Sequence, residues 1–85
     1  MDRTKEDIEK IIRCRCIDVL FVLKEKNYRV GVTQYFKTKG QISEKYSEPT
    51  YGEPFELEND CKEVRIDIIS TCGFRMYTEF YKVIK

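Results

Sequence analysis

The sequence contains no histidine, and its longest apolar stretch, Val19 to Leu23, runs for only five residues. A missing imidazole removes the commonest general base and every histidine-containing metal motif. Five residues fall far short of the ~20 that a membrane span needs. The chain has only three serines, Ser43, Ser47 and Ser70, and no glycine-rich phosphate loop. Neither those serines nor the cysteines have an imidazole to activate them, so the residues argue against catalysis. Nor is a secretory signal visible. The opening Met1-Asp2-Arg3-Thr4-Lys5-Glu6-Asp7 is mixed in charge and leads into no apolar h-region, which predicts a cytoplasmic protein.

What is present fits one small domain. The 85 residues are 41% apolar and 36% charged, too apolar for disorder and too charged for a bilayer. The net charge of +1 hides an uneven layout. Residues 1–43 carry +4, residues 44–63 carry −5 and residues 64–85 carry +2. The acidic centre holds Glu44, Glu48, Glu53, Glu56, Glu58, Asp60 and Glu63. Such asymmetry bears on the choice of partner.

Local patterns predict one helix and several strands. Thr4 can cap a helix with Asp7 three residues on, and Ile8, Ile11 and Ile12 then share a stripe. Residues 17–23 are rich in β-branched and aromatic types, so 16–24 and 28–37 read as a β-hairpin joined at Lys24-Glu25-Lys26-Asn27. Residues 38–54, with Gly40, Pro49, Gly52 and Pro54, read as a long polar loop of functional character. Phe55 to Glu58 is a short strand candidate. Residues 61–72 fit either a strand (Val64, Ile66, Ile68) or a helix (Cys61, Val64, Ile68, Cys72), and the β-branched content favours the strand. Thr71-Cys72-Gly73 then turns into a last strand, Phe74 to Ile84. The expected class is α+β, a short N-terminal helix packed on a mainly antiparallel sheet of four to five strands.

Four cysteines without a histidine pose a separate question. Cys14, Cys16, Cys61 and Cys72 are candidate ligands of a structural zinc, while burial as plain thiols and, in an oxidising compartment, two disulfides stay open. Cys14 and Cys16 can share an ion only in an extended or turn segment, because on a helix they point about 200° apart. A shared site therefore requires the helix to end near Ile12 or Arg13. The second pair needs residues 61–72 to fold back, since eleven steps span ~36 Å as a strand or ~16 Å as a helix.

Two surfaces invite partners. Arg13, Arg15, Lys24, Lys26, Arg29, Lys37 and Lys39 interleave with Phe21, Tyr28, Tyr35 and Phe36, as a surface that stacks bases and neutralises phosphates would. A near-neutral total charge and an ordinary solvated strand face count against that reading. The acidic segment, with Tyr46, Tyr51 and Phe55 inside it, could dock on a basic groove that normally holds nucleic acid, or could be a solvated loop.

Thr33-Gln34-Tyr35-Phe36, followed by a polar loop and Tyr51-Gly52-Glu53-Pro54-Phe55-Glu56, resembles a stretch of small phage-encoded type II-A anti-CRISPR proteins. The resemblance implies a stoichiometric inhibitor in the bacterial host cytoplasm. It would bind the RNA-guided effector nuclease and block loading of guide or target DNA. Tyr35, Tyr51, Gly52, Glu53, Phe55 and Glu56 are the contacts it implies, and the acidic segment adds Glu58. The alternative is a small zinc-stabilised nucleic-acid-binding or regulatory protein of a mobile element. A third reading is a subunit that needs a partner to cover an exposed strand edge.

Overall fold

The fold is that of a computed structural model, which describes residues 1–23 and 27–84. Element order is β1 (Asp2–Thr4), α1 (Lys5–Ile17), a π-helical turn (Asp18–Val22), β2 (Arg29–Thr38), β3 (Gln41–Ser47), β4 (Glu63–Ile69) and β5 (Arg75–Ile84). The strands form one sheet in the order β1-β5-β4-β2-β3. Only the β1–β5 pair is parallel; the other three pairs are antiparallel. The expected α+β class therefore stands, with five strands and one face of the sheet under the helix. Among the described residues no helix is long and apolar enough to cross a membrane.

The capping residues act as the spacing predicts. Thr4 Oγ1 accepts a hydrogen bond from the Asp7 backbone N–H at 3.2 Å, and Glu6 and Asp7 occupy the positive first turn. Ile8, Ile12 and Cys16 follow at intervals of four and are all buried. They meet Val30 and Val32 of β2 and Val64 and Ile66 of β4, which alternate toward the same side.

Three expectations need correction. Residues 16–24 are not a strand: α1 includes Cys16 and Ile17, and the chain continues as a π-helical turn closed by the Leu23 N–H on the Asp18 carbonyl at 2.9 Å. The four-residue stripe carries the helix into the apolar run, and propagation outweighs the strand preference of Val19, Phe21 and Val22. Of the turn expected at 24–27, only Asn27 lies among the described residues. The 38–54 loop is in part a strand: β3 pairs with β2 from Thr38↔Gln41 to Val32↔Ser47. Lys39 and Gly40 alone connect them, both with positive φ (52° and 81°), the geometry whose twist matches a hairpin.

The third correction concerns Phe55 to Glu58, which pairs with no strand. The Leu57 N–H donates to Glu9 Oε2 at 2.9 Å and the Glu58 N–H to Gln34 Oε1 at 2.8 Å, so side chains supply what a ladder would. Residues 61–72 hold strand β4, as the β-branched content favours, and Thr71–Gly73 makes the turn before β5.

One polar node sits where the end of α1 meets β5. Arg15 forms a bidentate ion pair with the nearly buried Glu79, through Nε to Oε2 and Nη2 to Oε1, and its guanidinium lies 5.6 Å from the Tyr77 ring centroid. The Tyr81 hydroxyl donates to the same carboxylate. Burial, then the bond to Glu79, pushes the Tyr81 phenol up to about 12. An unfolded phenol ionises near pH 10, so the neutral Tyr81 favours the folded state fully below about pH 10. That contribution fades as pH rises to 12. Urea denaturation of wild type and Tyr81→Phe across this range checks it: the wild type should lose stability more steeply between pH 10 and 12, and parallel curves would refute the assignment.

Candidate functional site

The segment between β3 and β4 runs antiparallel along α1. The Cys16 thiol donates to the Pro49 carbonyl at 3.6 Å, Leu57 is tied to Glu9, and Lys5 Nζ donates to Asn59 Oδ1 at 3.1 Å. Leu57 and Cys61 fall into the core, which turns Glu56 and Glu58 outward on either side of Leu57. Phe55 is half-buried and packs against the same core.

Tyr51, Gly52, Glu53 and Phe55 line one shallow cleft together with Ile12, Arg13, Cys16 and Ile17. Gly52 has φ of 89°, a backbone conformation that favours glycine at the tip of this turn. Tyr51 meets Phe21 edge to face, with ring centroids 5.5 Å apart. Phe21 and Val22 are 58% and 71% exposed, and Ile17, Leu20 and Tyr51 are exposed beside them. The π-helical turn thus presents an apolar ridge with Tyr51 packed on it; Glu53 is exposed in the adjoining cleft, and Glu56 is exposed further along α1, next to Leu57.

The remaining acidic residues divide. Glu58 pairs with Lys45 at 2.6 Å, and that hydrogen bond holds its carboxyl below the usual range. Glu48 accepts from the Tyr46 hydroxyl and from Arg29 Nε, both at 2.7 Å, with the same direction of shift. Glu44 and Glu63 lie on strands, on the sheet face away from the helix, and Tyr35 stands between them in register. Of the seven expected contact residues, Tyr35 alone is therefore on the opposite side of the sheet from the segment. The expected site does not include Leu20, Phe21 and Val22, since residues 17–23 carry strand preference while the structure forms a π-helical turn there. Their one legible signal was the four-residue spacing of Ile8, Ile12 and Cys16.

The cysteines do not meet. Cys14 and Cys16 both lie on α1, so the helix end that a shared ion requires is absent, and Cys14 is exposed while Cys16 is buried. Cys61 is buried with its thiol donating to the Glu63 carbonyl at 3.2 Å, and Cys72 is exposed in the β4–β5 turn. Burial pushes the Cys16 and Cys61 thiols up, which disfavours thiolate. Among the described residues no three Cys, Asp or Glu side chains converge closely enough to hold a metal ion.

The basic set is also dispersed. Arg15 is committed to Glu79 and Asp18, Arg29 to Glu48, and Lys24 and Lys26 lie outside the described residues. No protein family, curated protein or solved structure matches the chain.

Proposed function

We propose that the chain is a protein-docking inhibitor of the anti-CRISPR kind, acting in the bacterial host cytoplasm. It engages the nucleic-acid groove of an RNA-guided nuclease and thereby blocks loading of guide or target DNA. The observation that supports this reading is the exposed apolar ridge Leu20-Phe21-Val22-Tyr51, followed along the segment by the exposed carboxylates of Glu53 and Glu56. Apolar surface rimmed by charge marks an interaction site, aromatic anchors supply affinity, and negative charge is drawn to a groove built for phosphates. The resemblance of Tyr51 to Glu56 to type II-A anti-CRISPR proteins supplies the partner class.

Co-elution with a type II effector nuclease, with and without guide RNA, tests the reading. Wild type should co-elute and suppress DNA cleavage. Glu53→Lys with Glu56→Lys should weaken inhibition more than tenfold with the fold intact, since both side chains are exposed and unpaired by any ion pair among the described residues. Unchanged inhibition by the double variant would remove the acidic-ridge mechanism. No co-elution of wild type would remove the reading itself.

A further inference from the structure

The helix and the segment along it cover one face of the sheet; among the described residues no further element covers the other, where Thr33, Asp67 and Ile69 are buried by their neighbours on the face. The chain exposes 6036 Å², about 700 Å² more than a compact monomer of 10.2 kDa. Its radius of gyration is 13.0 Å, where about 12 Å is usual for this length. Both excesses are those of a two-layer fold with one sheet face bare.

The strand register lays that face out as a grid. One row across β3, β2, β4 and β5 reads Tyr46, Thr33, Arg65, Phe80, and the next reads Glu44, Tyr35, Glu63, Lys82. One row further on, β3 carries Ile42 and β5 carries Ile84. Strands β3 and β5 therefore carry the columns Ile42-Glu44-Tyr46 and Ile84-Lys82-Phe80, and outside β5 the short β1 sets Asp2 beside Lys82 and Thr4 beside Ile84. All four of their apolar side chains are exposed. Tyr46 lies flat across β2 because Gly31 has no side chain: a Cβ there would sit 2.6 Å from the Tyr46 hydroxyl.

We infer that this face is the interface of a two-fold dimer of the chain. An axis running along the strands between β2 and β4 places β3 of one copy over β5 of the other, row on row. Ile42 then meets Ile84 of the second copy, Glu44 meets Lys82, and Tyr46 meets Phe80, each pair twice. Such isologous self-complementarity is what a two-fold interface demands, and aligned packing of two sheet faces is a standard arrangement. Four strands by about seven residues offer roughly 500 Å² on each copy, so the pair buries about 1,000 Å², the lower bound of a specific interface.

Other occupants fit less well. A polyanion would meet Glu44 and Glu63, neither of which has an ion-pair partner among the described residues, while Arg29 and Arg65 are already taken by Glu48 and Asp67. Pairing through the free edge of β3 with the axis at its centre, Glu44 or Lys45, would set like charges against each other.

Sedimentation equilibrium of the whole chain at about 100 μM, a hundredfold above a micromolar Kd, tests the dimer. The expected mass is twice 10.2 kDa. Glu44→Lys or Lys82→Glu alone should raise the dissociation constant about tenfold, since each dimer loses two exposed ion pairs. The double variant should restore it. Within one copy those residues are three strands, about 14 Å, apart, so rescue reports contact between copies. Phe80→Glu should give monomer with an unchanged circular dichroism spectrum. A wild-type monomer at this concentration overturns the inference, as does a double variant no tighter than the singles. A monomer that binds single-stranded DNA through this face would assign it to nucleic acid instead.

Discussion

Replacing Asp67 with alanine is expected to destabilise the fold by about 3–5 kcal/mol. Its side chain is 0% exposed although it lies on the open face. It accepts from Thr78 Oγ1 at 2.6 Å and from Arg65 Nε at 3.0 Å, with Arg75 Nε at 3.9 Å. Among the described residues, truncation removes the carboxylate that both guanidinium groups approach and leaves the Thr78 hydroxyl and Arg65 without this partner. An 85-residue domain holds about 4–13 kcal/mol in all, so the loss is from about a quarter of its stability to all of it. Urea denaturation at pH 7 measures this directly. Asp67→Asn, which keeps an acceptor for Thr78, should cost less than half as much. A loss below about 1 kcal/mol for alanine would mean that water replaces the carboxylate at once.

Leu57→Ala should be nearly as severe and should reach further. Leu57 is the larger of the two residues of the acidic segment, with Cys61, that enter the core, where it belongs to one cluster with Ile8, Ile12 and Val32. Its truncation costs about 3 kcal/mol, or roughly 12–24 °C in Tm for a domain of this size. The segment is then left to its polar ties to α1, Glu9 on the Leu57 N–H, Cys16 on the Pro49 carbonyl and Lys5 on Asn59, and to the half-buried Phe55. If the chain docks as proposed, the variant should stay folded below the transition and yet bind a type II nuclease more weakly than wild type, because the segment carrying Glu53 and Glu56 is held less firmly. Calorimetry followed by titration at low temperature separates the two effects. Unchanged affinity in the folded variant would show that the segment keeps its place without Leu57.

How much of this was legible depends on where each residue's surroundings come from. The Thr4 cap and the stripe from Ile8 act within a few residues, so they could be read. Strands β2, β4 and β5 were also readable, because their β-branched and aromatic residues recur at alternate positions, although β2 and β4 are buried on both faces. Strand β3 is at the edge and wet on both sides, so Ser43, Glu44 and Lys45 carry no alternation; only the two-residue Lys39-Gly40 link could have betrayed it. Residues 17–23 misled because strand preference is a local property, whereas their helical state follows from the turn before them. At the site, the clustering of Tyr51, Gly52, Glu53 and Phe55 follows from their nearness in sequence. That Tyr35 stands across the sheet from them, and that Phe21 joins them, depends on contacts between distant residues that no spacing encodes.

The short strand beside β5 has a consequence for the order of folding. The Thr38 to Gln41 link closes its hairpin on the microsecond scale, and β4 meets β5 across a similarly short turn. Asp2 opposite Lys82, by contrast, closes a loop of nearly the entire chain, with the Lys82 N–H on the Met1 carbonyl at 2.8 Å. That closure carries the largest loop entropy for only three residue pairs of ladder. The seam between β1 and β5 is accordingly the last part of the sheet to zip and the first to fray, and the slow amides of the molecule belong to β2 and β4, paired on both sides.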